Sequence, residues 1–385
     1  MDIELLDGAL VPDRVLPIKR EAREFAQEYI APNAERYFRT GEYPYDLVDP
    51  AVEAGFVGAG IDKEYGGRGI SAVEKMAIAE EFYRADAGIG MALQGRAFGA
   101  NIVEAYGTEA QRERYLPPIT SGEEFTGMAI SEPETGSDLA GMQTTAERDG
   151  DEWVLNGEKY WIGNGVDADW ITVYARTGKN EDERYDSHSM IIVPTDAEGY
   201  EADHIPAKMG MRASQQAHIV FEDCRVPAEN LVGEEGEAFQ MLTTFFNEGR
   251  VGVGGHGIGL AAAAIEEAWD FVHSREEFGK NVSEFQSVQH DLADMRTEFE
   301  SARSLAWRAV EKVETDADDA GAWAAMTKIK ATETAAECAE TGVKLHGGRG
   351  ILDERRIARV YRDVRLPMTY EGANPIQRDL VYRHF

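Results

Sequence analysis

EFQSVQHDLADMRTEFESARSLAWRAVEKV, residues 284–313, sets the architecture of the C-terminal third of this chain. Val288, Leu292, Met295, Phe299, Ala302 and Ala306 recur at alternating four- and three-residue spacing, which lines them along one face of a helix. The residues between them are mostly polar or charged. A single apolar stripe on so long a helix has to be covered by other helices, so the segment predicts a bundle. Gly255 to Ser274 and Ala331 to His346 read as its partners, the second stopping at Gly347-Gly348. Upstream the pattern changes. Glu152 to Leu155, Trp170 to Ala175, Ser189 to Val193 and Ala217 to Phe221 are short β-favouring runs separated by Gly, Asn, Asp and Pro, the signature of a compact β domain. Earlier still, Pro17 to Arg36 carries Ile18, Ala22, Phe25, Ala26 and Tyr29 at helical spacing. Breaks are expected at Gly41 to Pro44, at Tyr65 to Gly69 and at Pro117-Pro118, where Gly or Pro stops a helix. The expected fold class is α+β in three units: an N-terminal helical domain (1–122), a middle β domain (123–233) and a C-terminal four-helix bundle (234–385).

The 385 residues are enough for two or three packed cores. The longest aliphatic stretch, around Ala261 to Ile265, is too short to cross a bilayer. The opening MDIELLDGALVPDR has neither a basic-then-apolar signal nor an Arg-rich presequence, so a cytoplasmic location is expected. Cys224 and Cys338 are the only cysteines, which excludes a disulfide framework and a thiolate metal cluster within one chain. The histidines lack paired ligand spacing, so no metal site is expected. A net charge of −32 argues against nucleic-acid binding, which needs clustered cations. The acid is dispersed, and of the 39 basic residues only 11 are Lys. That composition suits a salt-rich cytoplasm, where salt screens the repulsion of a carboxylate-dense surface.

Four separated segments, AISEPETGSD (129–138), EKYWIGNG (158–165), SREEFGKNVSEFQSVQ (274–289) and YEGANPIQR (370–378), resemble those of the acyl-CoA dehydrogenase family in order and spacing. KEYGGRGIS (63–71), GTEAQRERYLPPITSGE (107–123), KMGMRAS (208–214) and LHGGRG (345–350) extend the likeness over nearly the whole chain. The resemblance implies FAD and an acyl-CoA substrate. Removing a proton beside a thioester carbonyl calls for a base, donors to the carbonyl oxygen and a hydride acceptor. In the family the base is the Glu of the YEG motif, here Glu371, whose own N–H helps hold the carbonyl oxygen. Gly372 eases both placements. Other members carry the base immediately before the Arg of FFNEGR; that place is Gly249, with Glu248 one position back as the fallback. Arg250 is expected to steady the base loop, and Asn247 replaces a family Asp near the pantetheine arm.

The likeness also implies cofactor contacts. Ile130 and Ser131 match residues at the pyrimidine end of the flavin, while Gly136 and Ser137 match the turn near its diphosphate, Ser137 also facing substrate. Trp161 matches a Trp packed on the ring. Gly163 stands where the family has a Thr or Ser that donates to flavin N5, a departure that removes that side-chain bond. Arg275, Phe278 and Gln286 match residues that reach the FAD of a neighbouring subunit, as do Gly347 and Gly348 with Lys344 in place of a Gln. A homo-oligomer follows, commonly a dimer of dimers. Gly90 and Gln94 fall near the closed end of the acyl cavity, where a missing side chain at 90 would deepen it and would not hold a distal carboxylate; Arg96 is nearby. The pairing of Gly249-Arg250 with Glu371 resembles the branch acting on short straight chains. The expected activity is dehydrogenation of an acyl-CoA to a trans-2-enoyl-CoA, with electrons passing to an electron-transfer flavoprotein. An oxidase or monooxygenase on the same fold, or a non-catalytic assembly partner, are the alternatives.

Overall fold

A computed structural model describes residues 11–178, 185–206 and 208–384. Among the described residues the first helix is α1 (Leu16–Phe25), which passes through a wider turn and a tight turn at Ala31–Asn33, around Pro32, into α2 (Ala34–Thr40). Gly41 ends α2 with φ 69°, its N–H donating to Tyr37 O, a conformation glycine adopts without a Cβ clash. Then come α3 (Val48–Glu53), α4 (Ala72–Ala85), α5 (Ala87–Gln94), α6 (Ala100–Tyr106) and α7 (Glu109–Thr120). At the glycine-rich turn before α4, a Cβ on Gly67 would lie 1.8 Å from Ile61 O, so only glycine fits there. Ser71 and Glu74 form a reciprocal cap that starts α4.

The expected stop at Pro117-Pro118 is not observed: α7 continues through both prolines to Thr120. They sit in its final turn, and the Pro117 carbonyl accepts from Ser121 N and Thr120 Oγ1. The strands follow: β1 (Thr126–Ala129), β2 (Thr145–Asp149), β3 (Glu152–Gly163), β4 (Trp170–Arg176), β5 (His188–Pro194), β6 (Tyr200–His204), β7 (Gln216–Pro227) and β8 (Leu231–Val232). They form one sheet ordered β6-β7-β3-β2-β4-β5-β8, with β1 joining β4 in parallel. Alternation along β4 divides its side chains. Trp170 and Tyr174 join a cluster with Ile102, Leu116 and Leu242, while Ile171, Val173 and Ala175 pack with Trp153, Ile191 and Phe221 on the other face.

The remaining chain is helical apart from the short hairpin β9 (Glu276–Glu277) and β10 (Lys280–Asn281). Helix α8 (Ala238–Ser274) is 37 residues long and contacts α4, α9 (Gln286–Glu314) and α10 (Ala320–His346). Short helices α11 (Arg356–Asp363) and α12 (Asn374–Tyr382) close against α8 and α10. Two helices start earlier than expected, α8 at Ala238 instead of Gly255 and α10 at Ala320 instead of Ala331. The early part of α8 is rich in glycine, which is unfavourable in an isolated helix; here the missing side chains let neighbouring backbones close in. A Cβ on Gly257 would meet Ala331 C of α10 at 2.6 Å, and one on Gly259 would meet Glu80 O of α4 at 2.3 Å. Both cysteines are buried and unpaired. No helix among the described residues is long and apolar enough to cross a membrane, and no cluster there could hold a metal.

Candidate active site

Glu371 lies in the turn between α11 and α12 with a left-handed backbone, φ 53°, followed by Gly372 at φ 82°. Such a conformation costs a non-glycine residue energy and persists only when its surroundings impose it. Here the restraint comes from the bundle. Lys328 Nζ on α10 donates to Gly372 O at 2.7 Å, and Gln377 Nε2 on α12 donates to Glu371 O at 3.1 Å and to Gly372 O at 2.9 Å. Asn374 Nδ2 ties the start of α12 to Thr332 Oγ1 at 3.1 Å. Among the described residues the Glu371 N–H has no acceptor, and its Oε2 is buried without a hydrogen-bond partner.

The carboxylate lies over α8. A Cβ built on Gly249 would be 2.9 Å from Glu371 Oε2, so the space a side chain would fill is taken by the carboxylate. One residue on, Arg250 is buried, donates from Nη1 to Asn247 Oδ1 at 2.9 Å and lies 5.7 Å from the centre of the Phe246 ring. Burial pushes the Glu371 carboxyl up to about 7, while Arg250 and Lys328 pull against that rise. Burial lowers Arg250, with Glu371 opposing the shift, and takes Lys328 to about 8. The result is a carboxylate poised near neutrality between two cations. Glu248, the fallback base, points away and pairs with Lys75 Nζ at 2.6 Å, its side chain 46% exposed.

Phe246 links this centre to the loop after β1. It packs with Phe245, Phe98 and Ile130 against one cluster, the Phe98 and Phe245 rings 5.8 Å apart. Ile130 and Ser131 are fixed through their carbonyls, Ile130 O accepting from Lys159 Nζ at 2.9 Å and Ser131 O from Tyr160 N at 2.8 Å. Lys159 is fully buried and also meets Glu132 Oε1 at 3.0 Å. Glu132 accepts from the N–H groups of Gln143 and Thr144, so this pair clamps the whole loop containing Gly136 and Ser137 to β3. Burial takes Lys159 down to about 8. At the end of β3 Trp161 adopts φ 66° and is 59% exposed. A Cβ on Gly163 would meet nothing within 4 Å, and one on Gly136 only Ser131 Oγ at 3.8 Å. An exposed Trp beside open space at two glycines makes a cradle suited to a flat ring system.

The other expected contacts form a separate region. Arg275 ends α8, pairs with Glu277 and lines a cavity of about 380 Å³ with Phe271, Ser274, Glu276, Arg349 and Arg355. Gly347 and Gly348 precede Arg349, and a Cβ on either would meet nothing within 4 Å. Phe278 is 94% exposed, Gln286 begins α9, and Lys344 is held by Asp291 at 2.9 Å. The expectation for Gly90 needs correction. A Cβ there would meet Phe82 Cβ and Tyr83 Cδ2 of α4 at 3.2 Å, so its missing side chain serves helix packing and does not deepen a cavity. Gln94 has a buried, unpartnered Oε1. Arg96 stacks over Phe125, 4.1 Å from the ring centre.

Lys328, Asn374, Gln377, Lys159 and Glu132 were not singled out from sequence. A lysine on the alanine face of α10 (Ala324, Ala331, Ala335, Ala339) was a usable signal, because a buried amine requires a partner.

Residues 14–123, 127–224 and 236–385 match the models of the acyl-CoA dehydrogenase N-terminal, middle and C-terminal domains. The chain is 35% identical over 367 residues to a probable acyl-CoA dehydrogenase, YngJ, of Bacillus subtilis, covering 95% of this chain and 96% of that one. It superimposes on the butyryl-CoA dehydrogenase of Megasphaera elsdenii with a TM-score of 0.91 at 31% identity, covering 97% and 98%. A chain from the structure described as "Electron transferring flavoprotein of Acidaminococcus fermentans: Towards a mechanism of flavin-based electron bifurcation" gives 0.92 at 33% identity, again over 97% and 98%.

Proposed function

The chain belongs to the acyl-CoA dehydrogenase family, and from that premise we propose that it oxidises a short, straight acyl-CoA to the trans-2-enoyl-CoA, with FAD as cofactor and Glu371 as base. The observation that carries this reading is the Glu371 carboxylate, buried over Gly249 with a pKa near 7 between Arg250 and Lys328. A base tuned to neutrality takes a proton most effectively at neutral pH. FAD supplies the acceptor for the hydride that leaves the β-carbon.

The chain's residues do the rest. Glu371 Oε2 removes the α-proton, and the unengaged N–H of the same residue donates to the thioester oxygen as negative charge gathers there. Arg250 and Lys328 favour the ionised carboxylate and so hold back the rise that burial imposes on it. Lys328 and Gln377 hold the turn still during the transfer. The cradle at Ile130, Ser131, Trp161 and Gly163, with Gly136 and Ser137 on its rim, receives the flavin. A backbone N–H or a water takes the place of the absent hydroxyl at Gly163. Asn247 borders the pantetheine arm, Gly372 the thioester and Gln94 the acyl end.

Arg275, Phe278, Gln286, Lys344, Gly347 and Gly348 serve the FAD of a second copy in a dimer of dimers; the 94% exposed Phe278 supports this, since water is a poor neighbour for an aromatic ring. Electrons pass to an electron-transfer flavoprotein, and the enzyme works in a salt-rich cytoplasm. The units 1–122, 123–233 and 234–385 act as helical wall, flavin platform and base-bearing bundle.

Anaerobic mixing of the flavin-loaded protein with acyl-CoAs from C4 to C16 tests the reading. Rapid bleaching of the yellow flavin at the short end, slow reoxidation in air and fast reoxidation by an electron-transfer flavoprotein are expected. Fast reaction of the reduced protein with oxygen would make it an oxidase. Glu371→Gln should keep FAD and lose α-proton exchange by about three orders of magnitude or more, as for an essential base.

A further inference from the structure

His256 has no part in the chemistry above, yet it lies seven residues beyond Gly249 on α8, close to two turns away and on the same face. Its ring stacks flat on Tyr83 of α4, with centroids 3.8 Å apart and planes at 3°. Its Nδ1 is 2.9 Å from the hydroxyl of Tyr370, the residue immediately before Glu371. Burial drives the His256 pKa down to about 3, so the ring is neutral and brings no charge to the neighbourhood of the base.

The turn carrying Glu371 is held unevenly. Lys328 and Gln377 seize the carbonyls of Glu371 and Gly372, on the far side of the base. On the near side, Met368 O accepts from Asn374 N across the turn at 3.1 Å and Thr369 bonds locally to Leu366 O, but neither bond reaches α8. Tyr370 reaches from there into the body of α8 through its hydroxyl bond to His256, and the same hydroxyl also interacts with that of Tyr83 on α4. Two consecutive left-handed residues need restraint at both ends, because the turn would otherwise relax and swing the carboxylate off Gly249.

We propose that His256 is a positioning residue for the base: stacked on Tyr83 and hydrogen-bonded to Tyr370, it anchors the near side of the turn and keeps the Glu371 carboxylate over Gly249. The inference rests on the reading of Glu371 as the base. It assigns His256 no contact with the reacting atoms, and it makes the hydrogen bond, more than the volume of the ring, the operative feature.

The test uses full-length, FAD-loaded protein and four variants: His256→Leu, Tyr370→Phe, the double variant and His256→Gln, which restores a hydrogen-bonding group. Steady-state turnover of a C4 acyl-CoA and α-proton exchange in D2O are measured, with bound flavin and the melting temperature as folding controls. His256→Leu and Tyr370→Phe should each lower kcat by about 10- to 100-fold, the loss expected from a misplaced base, while KM stays within about twofold. The double variant should be no slower than the slower single, since both break one bond. His256→Gln should recover most of the rate. An unchanged kcat, losses that multiply in the double variant, or a change confined to KM would overturn the inference. Tyr370→Phe removes a single oxygen and remains informative if His256→Leu fails to fold. Loss of exchange in Glu371→Gln with normal turnover in His256→Leu sinks this inference alone, whereas turnover surviving in Glu371→Gln sinks the assignment of the base.

Discussion

At the scale of single residues, the ionisation of Glu371 governs what can be measured. Burial raises it to about 7, so α-proton exchange should climb through a midpoint near pH 7 and level off above it. Arg250 favours the ionised form, so Arg250→Leu should move that midpoint upward; an unmoved midpoint would deny the charge coupling. The folded state holds this proton more tightly than an unfolded chain does. Stability from the group is therefore present below the ordinary value of 4.5 and lost as pH rises through about 7. Glu371→Gln should accordingly melt above the parent at pH 8 and close to it at pH 4.5. Gly249→Ala brings a methyl to 2.9 Å from Oε2 and should cost about 10- to 100-fold in turnover with the flavin still bound. Glu371 itself was legible because its motif is local in sequence. Lys328 and His256 were not, because a lysine in an alanine-rich helix and a histidine among glycines acquire meaning only when three helices meet.

At the scale of elements, α8 shows how a glycine-rich segment becomes a helix. Gly257 and Gly259 admit the backbones of α10 and α4, whereas Gly252 faces open space. Alanine at 259 gains about 1 kcal/mol in helix propensity but collides with Glu80 O, so Gly259→Ala should lose about 1–3 kcal/mol in denaturant titration. Gly252→Ala should be neutral or gain up to about 1 kcal/mol in the same assay. The strands and the stripe of α9 could be read from periodicity, since a half-buried strand and an amphipathic helix write their faces into adjacent residues. The first half of α8 could not, because its partners are distant in sequence. The persistence of α7 through Pro117-Pro118 was hidden for a related reason: both lie in the last turn, where the Pro117 carbonyl still accepts from Ser121 N and Thr120 Oγ1, and that accounting is invisible until the turn is built.

At the scale of the whole molecule, the order helices, sheet, helices was legible because each third has its own repeat, and the joints between thirds were less so. The net charge of −32 is a global property with a global consequence. Ions screen repulsion among exposed carboxylates over roughly a Debye length, about 10 Å at 0.1 M salt. The melting temperature should therefore rise steadily from low salt to molar KCl, and a flat response would separate the acidic composition from any need for salt. The two sealed cysteines make that measurement simple. Burial lifts Cys224 to about 11 and Cys338 to about 12, so neither presents a thiolate to reagents at neutral pH while the chain is folded. Unfolding of the sheet would expose Cys224 and unfolding of the bundle Cys338. A maleimide dye added at successive dilutions of brine would thus act as a built-in tally of opened molecules, with no engineered label.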